Sequence, residues 1–404
     1  MLDDSRRRRG RIPVLNWVLA SLLAACGSTC ISCIETTPRA DGTSVKTANY
    51  FSSSYEAARE MFLDAAAGAG ARIESVRHPD VGPNGEPLFT DVAVLGPQDV
   101  KNILVVSSGT HGVEGFAGSG IQVGLLREGI ASRLPKDVGI VMIHAINPYG
   151  FAHLRRPNED NVDLNRNFVD HSQPYPRNPG YEELAEVLAP KSFSSWSDAA
   201  FLSRLQWHRL RGRTDWLRKA VTGGQYSHPR GLFYGGNSET WSNKTIQMIA
   251  DRYLSHAERI VLVDLHTGLG EYGDAEIILN AEETEDTYSR AVAIWGPARV
   301  RSTASGDSVS VHLDGTLKLA VPAILPHVEV TAVGLEFGTS PPLKVLRALR
   351  AENWLHHHGG NDHPKANEIK AELKRAFYPE TDDWKSLVWQ QGEEVVEQTI
   401  AAMQ

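Results

Sequence analysis

The chain has 404 residues, of which 41% are hydrophobic and 22% charged, an ordinary globular balance that excludes collagen-like and low-complexity readings. Its formal charge is −8: residues 1–25 carry five arginines against two aspartates, a balance of +3, which leaves −11 for the rest. A body this acidic lacks the basic footprint that phosphate backbones require, so no nucleic acid is expected as a partner.

The first segment is a basic patch, Arg6 to Arg11, followed by an apolar run from Val14 to Ala25. That run is 12 residues long, too short for the roughly 20 helical residues a bilayer needs. It ends in Leu23-Ala24-Ala25-Cys26, which resembles the lipobox of bacterial lipoproteins. The resemblance implies an export signal over residues 1–33, a membrane anchor through lipidated Cys26 and a place on the periplasmic side of the cell envelope. The alternative is a start codon set too early, with a cytoplasmic protein beginning near residue 45. Cys26, Cys30 and Cys33 also spell C-x3-C-x2-C, but a cluster needs a folded cavity and these lie in a leader followed by a polar linker over residues 34–48. The remaining body has no cysteine and so no disulfide.

From residue 49 the chain alternates between helical and strand-like segments. Residues 55–71 have helical apolar spacing and a glycine-rich stop. Residues 91–96, 101–109, 138–147, 259–266 and 275–280 read as short β-rich strands, and residues 115–134 and 239–256 as helices between them. Near-continuous apolar strands separated by helices predict one α/β domain over residues 49–404. The layout expected is a single-domain α/β/α sandwich around a mixed, mostly parallel central sheet. Chemistry then belongs at the carboxyl ends of the strands. Residues 170–235, polar and rich in Pro, Trp and Arg, are expected to be an insertion near the site.

Three such ends carry metal-ligand residue types. After the strand at 101–109 come His111 and Glu114, an H-x-x-E spacing on a turn whose glycines, Gly109, Gly112 and Gly115, suit a sharply bent backbone. His266 closes a second apolar strand, 152 residues beyond Glu114. Two histidines and one glutamate form a known catalytic zinc set that leaves a position open for water. Each motif alone is weak, since most H-x-x-E pairs are surface residues and most strand-end histidines are structural.

The loop "LRRPNEDNVDLNRNF" adds Arg155, Arg156, Asp163, Asn165 and Arg166. With "THGVEG", "DLHTG", "INPYG" and the later "GLEFGT", the chain resembles the zinc carboxypeptidase family of metallopeptidases, in an uncharacterised bacterial branch. The resemblance spans about residues 49–404. It implies one Zn2+ per chain held by His111, Glu114 and His266, with Asp163 hydrogen-bonding the first histidine. It assigns Asn165 and Arg166 to the substrate's terminal carboxylate, Arg155 to polarising the scissile carbonyl with Arg156 as a substitute, and Glu336 to the catalytic glutamate. Glu329 competes with Glu336, but seven residues of unbroken strand would turn the two to opposite faces. Tyr272 and Tyr288 lie where the family keeps a substrate-covering tyrosine, and neither sits in a motif.

The stretch "VDLHTGLGEYG" also spells G-x-G-x-x-G, the dinucleotide turn. That turn needs a helix after the glycines, whereas "DAEIILN" reads as another strand, so the glycines are expected in a loop. G-x-S-x-G, the P-loop and H-E-x-x-H are absent, and "HHH" at 356–358 reads as a helix end. The expectation is a zinc-dependent hydrolase of a peptide or amide bond beside a free carboxylate, with Glu336 as general base and acid. Its alternatives are an aspartoacylase-like deacylase of N-acyl amino acids, since "HGVE", "DLNR" and "DLHT" are similar to that group too, and an inactive zinc-containing peptide-binding protein.

Overall fold

A computed structural model describes residues 47–306 and 308–404; the leader, Cys26 and the linker up to residue 46 lie outside the described residues. Helix α1 (Tyr55–Gly68) starts where the Ser54 hydroxyl accepts from the Ala57 amide, and buries Tyr55, Ala58 and Phe62. Strands β1 (Arg72–Val81) and β2 (Pro87–Leu95) form a hairpin, and β3 (Asn102–Ser107) leads through the turn that carries His111 and Glu114 into α2 (Gly115–Arg127). Strand β4 (Val138–His144) and the short α3 (Pro148–Ala152) precede the insertion, which holds α4 (Pro179–Leu188), α5 (Ser195–Leu210) and α6 (Thr214–Thr222). Then follow α7 (Trp241–Tyr253), β5 (Arg259–Tyr272), β6 (Ala275–Leu279), α8 (Asp286–Trp295), β7 (Val300–Ser302), α9 (Leu317–Ile324) and β8 (Glu329–Gly338). Helices α10 (Pro342–Trp354), α11 (Ala366–Phe377) and α12 (Asp382–Ala402) close the chain.

The eight strands form one mixed sheet in the order β1-β2-β4-β3-β5-β8-β6-β7. Its centre, β4-β3-β5-β8, is parallel, so four strands deliver their carboxyl ends to one edge. The expected fold class is the one observed. Strand alternation divides the core: Leu104, Val106, Val261, Val263, Val333 and Leu335 face α1, α2 and α12, while Ile103, Val105, Ile260, Leu262, Val330 and Ala332 face α7 and α9. Asp264, His266 and Glu336 continue the second set by parity. The pairing Ser107↔Asp264 and His266↔Glu336 sets these side chains level at the carboxyl edge.

Two sequence expectations need correction. The glycines after His266 are not a free loop: β5 runs to Tyr272, and its pairing with β8 jumps from Thr267↔Phe337 to Tyr272↔Gly338, which bulges the residues between. The segment that follows is a strand, β6, as expected. The histidine run does not end α10 as an ordinary helix end; a single π turn, Leu355–Gly359, extends it. Insertion helices α4 to α6 bury Tyr181, Leu184, Leu188, Phe201 and Leu217 against Val345, Leu349 and Leu373 of α10 and α11.

Candidate metal centre

His111 precedes a single 3-10 turn, Gly112–Glu114, that opens α2. Gly109 turns the chain at φ +66°, and a Cβ on Gly112 would lie 2.0 Å from the Gly150 carbonyl carbon, so neither position admits a side chain without rebuilding the turn. The amides of Gly112 and Val113 donate to the carbonyls of Arg156 and Arg155 at 3.1 and 2.8 Å. The Asn147 amide donates to Gly109 at 2.8 Å. The H-x-x-E turn is thereby tied to both the "INPYG" turn and the arginine loop.

His111, Glu114 and His266 are buried, and one donor atom from each lies within 4.8 Å of the others. Nδ1 of His111 is 2.9 Å from Glu114 Oε1, and Nδ1 of His266 is 3.0 Å from Glu114 Oε2. The first of these pairs is not in hydrogen-bond geometry, which leaves His111 Nδ1 a buried nitrogen with no hydrogen-bond partner. The far nitrogens are held by carboxylates: His111 Nε2 lies 3.1 Å from Asp163 Oδ1, and His266 Nε2 lies 2.6 Å from Asp264 Oδ2. Inward-facing nitrogens, an orphaned lone pair and a carboxylate behind each ring fit a cation bound by His111, Glu114 and His266. Among the described residues no other such group converges.

Asp163 and Asp264 are sealed from water and fully engaged. Asp264 Oδ1 accepts from the hydroxyls of Ser107 and Thr110 at 2.7 and 2.8 Å. Asp163 also caps the turn at Leu164–Arg166 through the Asn165 amide, so the capping role and the histidine contact coexist. Burial pushes the Asp163 carboxyl up, but the charges of Arg156 and Arg166 outweigh it and hold it well below the usual range. For Asp264 burial is likewise outweighed, here by His266. Asp264 was not singled out in the sequence, although a D-x-H spacing on a strand puts both side chains on one face.

Glu336 sits on β8, where its Oε1 accepts from the Leu269 amide of the β5 bulge at 2.9 Å. Burial and the neighbouring Glu114 charge raise its carboxyl from 4.5 to about 7. Glu329 is excluded as its rival: it is exposed, starts the same strand and lies near Arg259 and Arg290.

The arginine assignment is corrected. Arg155 turns away from the ligands; its Nε donates to Glu352 at 2.8 Å, and its remaining nitrogens donate to Asn158 and Asn161. With every arm engaged in a buried network it has none free for a substrate carbonyl. Arg156 faces the centre instead, with Nη2 2.8 Å from His111 Nε2, an ion pair to Asp163, and Nε 3.6 Å from Glu114. Asn165 and Arg166 both reach the site. The Asn165 amide contacts His266 Nε2 at 3.2 Å, while its carbonyl oxygen accepts from the Leu317 amide at 3.0 Å. Arg166 donates to the Asn165 and Thr222 carbonyls and keeps a buried Nε–H with no partner. The insertion thus closes over this guanidinium.

Two further groups were invisible in the sequence. Lys318 on α9 donates to the Ile278 carbonyl at 3.2 Å, and burial lowers its amine to about 8 despite the charges of Asp264 and Glu336. Tyr226, stacked on Tyr175 at 4.8 Å, donates to the Arg166 carbonyl at 2.5 Å. Tyr272 does not cover the site; its hydroxyl meets Thr381 and Asp383. Tyr288 packs against the core.

A profile described as "Protein of unknown function (DUF2817)" matches residues 51–391. No curated protein matches the chain. Similar solved structures include carboxypeptidase A from Helicoverpa armigera, at 12% identity over 81% of this chain and 74% of that one, with a TM-score of 0.45. Bovine thrombin-activatable fibrinolysis inhibitor, in complex with tick carboxypeptidase inhibitor, is 12% identical over 86% and 98% of the two chains, with a TM-score of 0.41. An aspartoacylase family protein from Mesorhizobium loti is 13% identical over 72% and 67%, with a TM-score of 0.34. Identities and scores of this order assign neither activity nor substrate to this chain.

Proposed function

The chain belongs to the DUF2817 family, and we propose that it is a zinc-dependent hydrolase of an amide bond lying beside a free carboxylate. The observation that carries the reading is the convergence of His111, Glu114 and His266, with Glu336 opposite His266 in the strand register. When bound there, a zinc ion supplies Lewis acidity, drawing the pKa of a water towards about 7 and polarising a carbonyl oxygen. Glu336 takes the proton of the attacking water and passes it to the leaving nitrogen; burial poises it for both steps. Arg156 faces the negative charge that develops on the carbonyl oxygen. Asn165 and the unpartnered Nε–H of Arg166 receive the substrate carboxylate.

A second reading concerns substrate length. Thr222 and Gly224 cover Arg166, which suits a short N-acyl amino acid as well as a peptide terminus. Export through the leader and anchoring through Cys26 belong to the same proposal and place the substrate in the envelope. Among the described residues no helix is long and apolar enough to cross a membrane.

The test is hydrolysis of a panel of peptides with free C-termini and of N-acyl amino acids, run alongside metal analysis. Glu336→Gln is expected to retain zinc and lose turnover by about 10² or more. Full activity in that variant would remove Glu336 from the mechanism. Full activity after the zinc has been stripped would remove the metal.

A further inference from the structure

Helix α5 (Ser195–Leu210) has apolar residues on two faces and buries only one. Phe201 and His208 point inward and are fully buried, with the Arg350 guanidinium 3.8 Å over the Phe201 ring. On the opposite side Trp196 is 86% exposed, Leu210 79% and Trp207 39%. At about 100° per residue, Trp196, Ser203, Trp207 and Leu210 fall within an arc of about 60°. Exposed Ala199 and Ala200 flank the stripe, one on each side. A helix normally turns one apolar stripe to the core and a polar face to water. Here the outer face carries two indoles.

The border of the stripe is basic. Arg204 and Arg211 are exposed, and the Arg211 guanidinium stacks 3.8 Å over the Trp207 ring. Among the described residues neither has an ion-pair partner. Asp198, the one acidic residue of the helix, is taken by Arg347 and Arg350. The patch is therefore cationic on a protein whose formal charge is −8.

We propose that α5 docks flat on an anionic lipid surface, with Trp196, Trp207 and Leu210 at the headgroup–acyl boundary and Arg204 and Arg211 on lipid phosphates. Indoles with a polar edge and an apolar body favour that boundary, and each nearby arginine adds attraction to a negative leaflet. A second copy of the chain fits the patch worse. A two-fold contact would bring the same unneutralised arginines together. One stripe on a helix of about 24 Å also falls short of the roughly 800 Å² per partner that a stable interface buries.

The experiment is co-sedimentation of the full-length chain with vesicles of phosphatidylcholine plus phosphatidylglycerol, and with phosphatidylcholine alone. The variant carries Trp196→Ser, Trp207→Ser and Leu210→Ser together, and shares the leader with the wild type. The expected result is binding to the anionic vesicles that drops at least tenfold in the variant, while hydrolysis is unchanged. Arg204→Gln with Arg211→Gln should weaken binding roughly fivefold per charge and flatten its salt dependence. Equal sedimentation of wild type and triple variant would assign all binding to the leader and overturn the proposal. So would no binding by either, or a wild-type dimer in solution that the triple substitution dissolves.

Discussion

Arg155 and Arg156 are neighbours whose guanidiniums end in different places, one sealed between Glu352 and Asn161 and the other against His111 and Asp163. The Val113 amide on the Arg155 carbonyl and the Gly112 amide on the Arg156 carbonyl fix the backbone, and hence which side chain points at the ligands. Arg156→Gln should lower kcat by about 10² to 10³, since a transition-state donor is lost, and should also cost stability, because buried Asp163 loses its closest cation. Arg155→Met should separate the two effects: near-normal kcat, and a stability loss of about 3 kcal/mol in urea melts. Glu352 would stay buried, neutralised only by Lys370 at 2.7 Å. If Arg155→Met abolishes catalysis in a fully folded protein, the roles assigned to the two arginines are wrong. Behind the second histidine, Asp264→Asn should cost 10- to 100-fold in metal affinity, read by chelator competition, because the ring's acceptor loses the negative charge that raises its basicity.

At the scale of elements, the β5 bulge does what the glycine spelling obscured. Gly268 sits at φ +126° and a Cβ there would lie 2.8 Å from the Phe377 ring, so this backbone suits glycine alone. The bulge aims the Leu269 amide at Glu336, and that hydrogen bond favours the carboxylate against burial. Glu336 works as a base only when ionised, so kcat/KM should fall as pH drops through its pKa, near 7 without metal and lower with a cation beside it. Gly268→Ala, which displaces the amide, and Lys318→Met, which removes a positive neighbour, should each move that acidic limb to higher pH. A pH–rate profile that stays put in both variants would remove Glu336 as the titrating group. The sequence revealed β3, β4 and β5 because buried parallel strands are continuous apolar runs. It hid β1, an edge strand that is exposed along most of its length and reads as polar. His111, Glu114 and His266 were legible as candidates because each follows or closes a continuous apolar run. The choice between the arginines and the burial of Lys318 were not, since both arise from contacts between distant segments.

Across the whole molecule, the centre joins Glu114 and His266, which lie 152 residues apart in sequence, so binding of a metal there would be coupled to global stability. The raised Glu336 carboxyl holds its proton between about 4.5 and 7, so its own contribution to stability falls as pH rises through that window; His144, His356 and His357, whose imidazoles desolvation lowers to about 4, 3 and 4, act the other way, and their contribution is lost as pH falls below about 6.5. Asp163 and Asp264 are depressed; their contribution is present above about 4 and is lost as pH falls through their folded values. A bound cation adds to this only when it can displace protons from the ligands, so its gain grows with pH. At free metal about a thousandfold above its dissociation constant the gain is about 4 kcal/mol. Scanning calorimetry with and without chelator should therefore show a lower Tm for the stripped protein, by a wider margin near pH 8 than near pH 5.5. Zinc should restore it in the wild type and not in His111→Ala. A Tm indifferent to chelator at both values would mean that His111, Glu114 and His266 hold one another and not a metal.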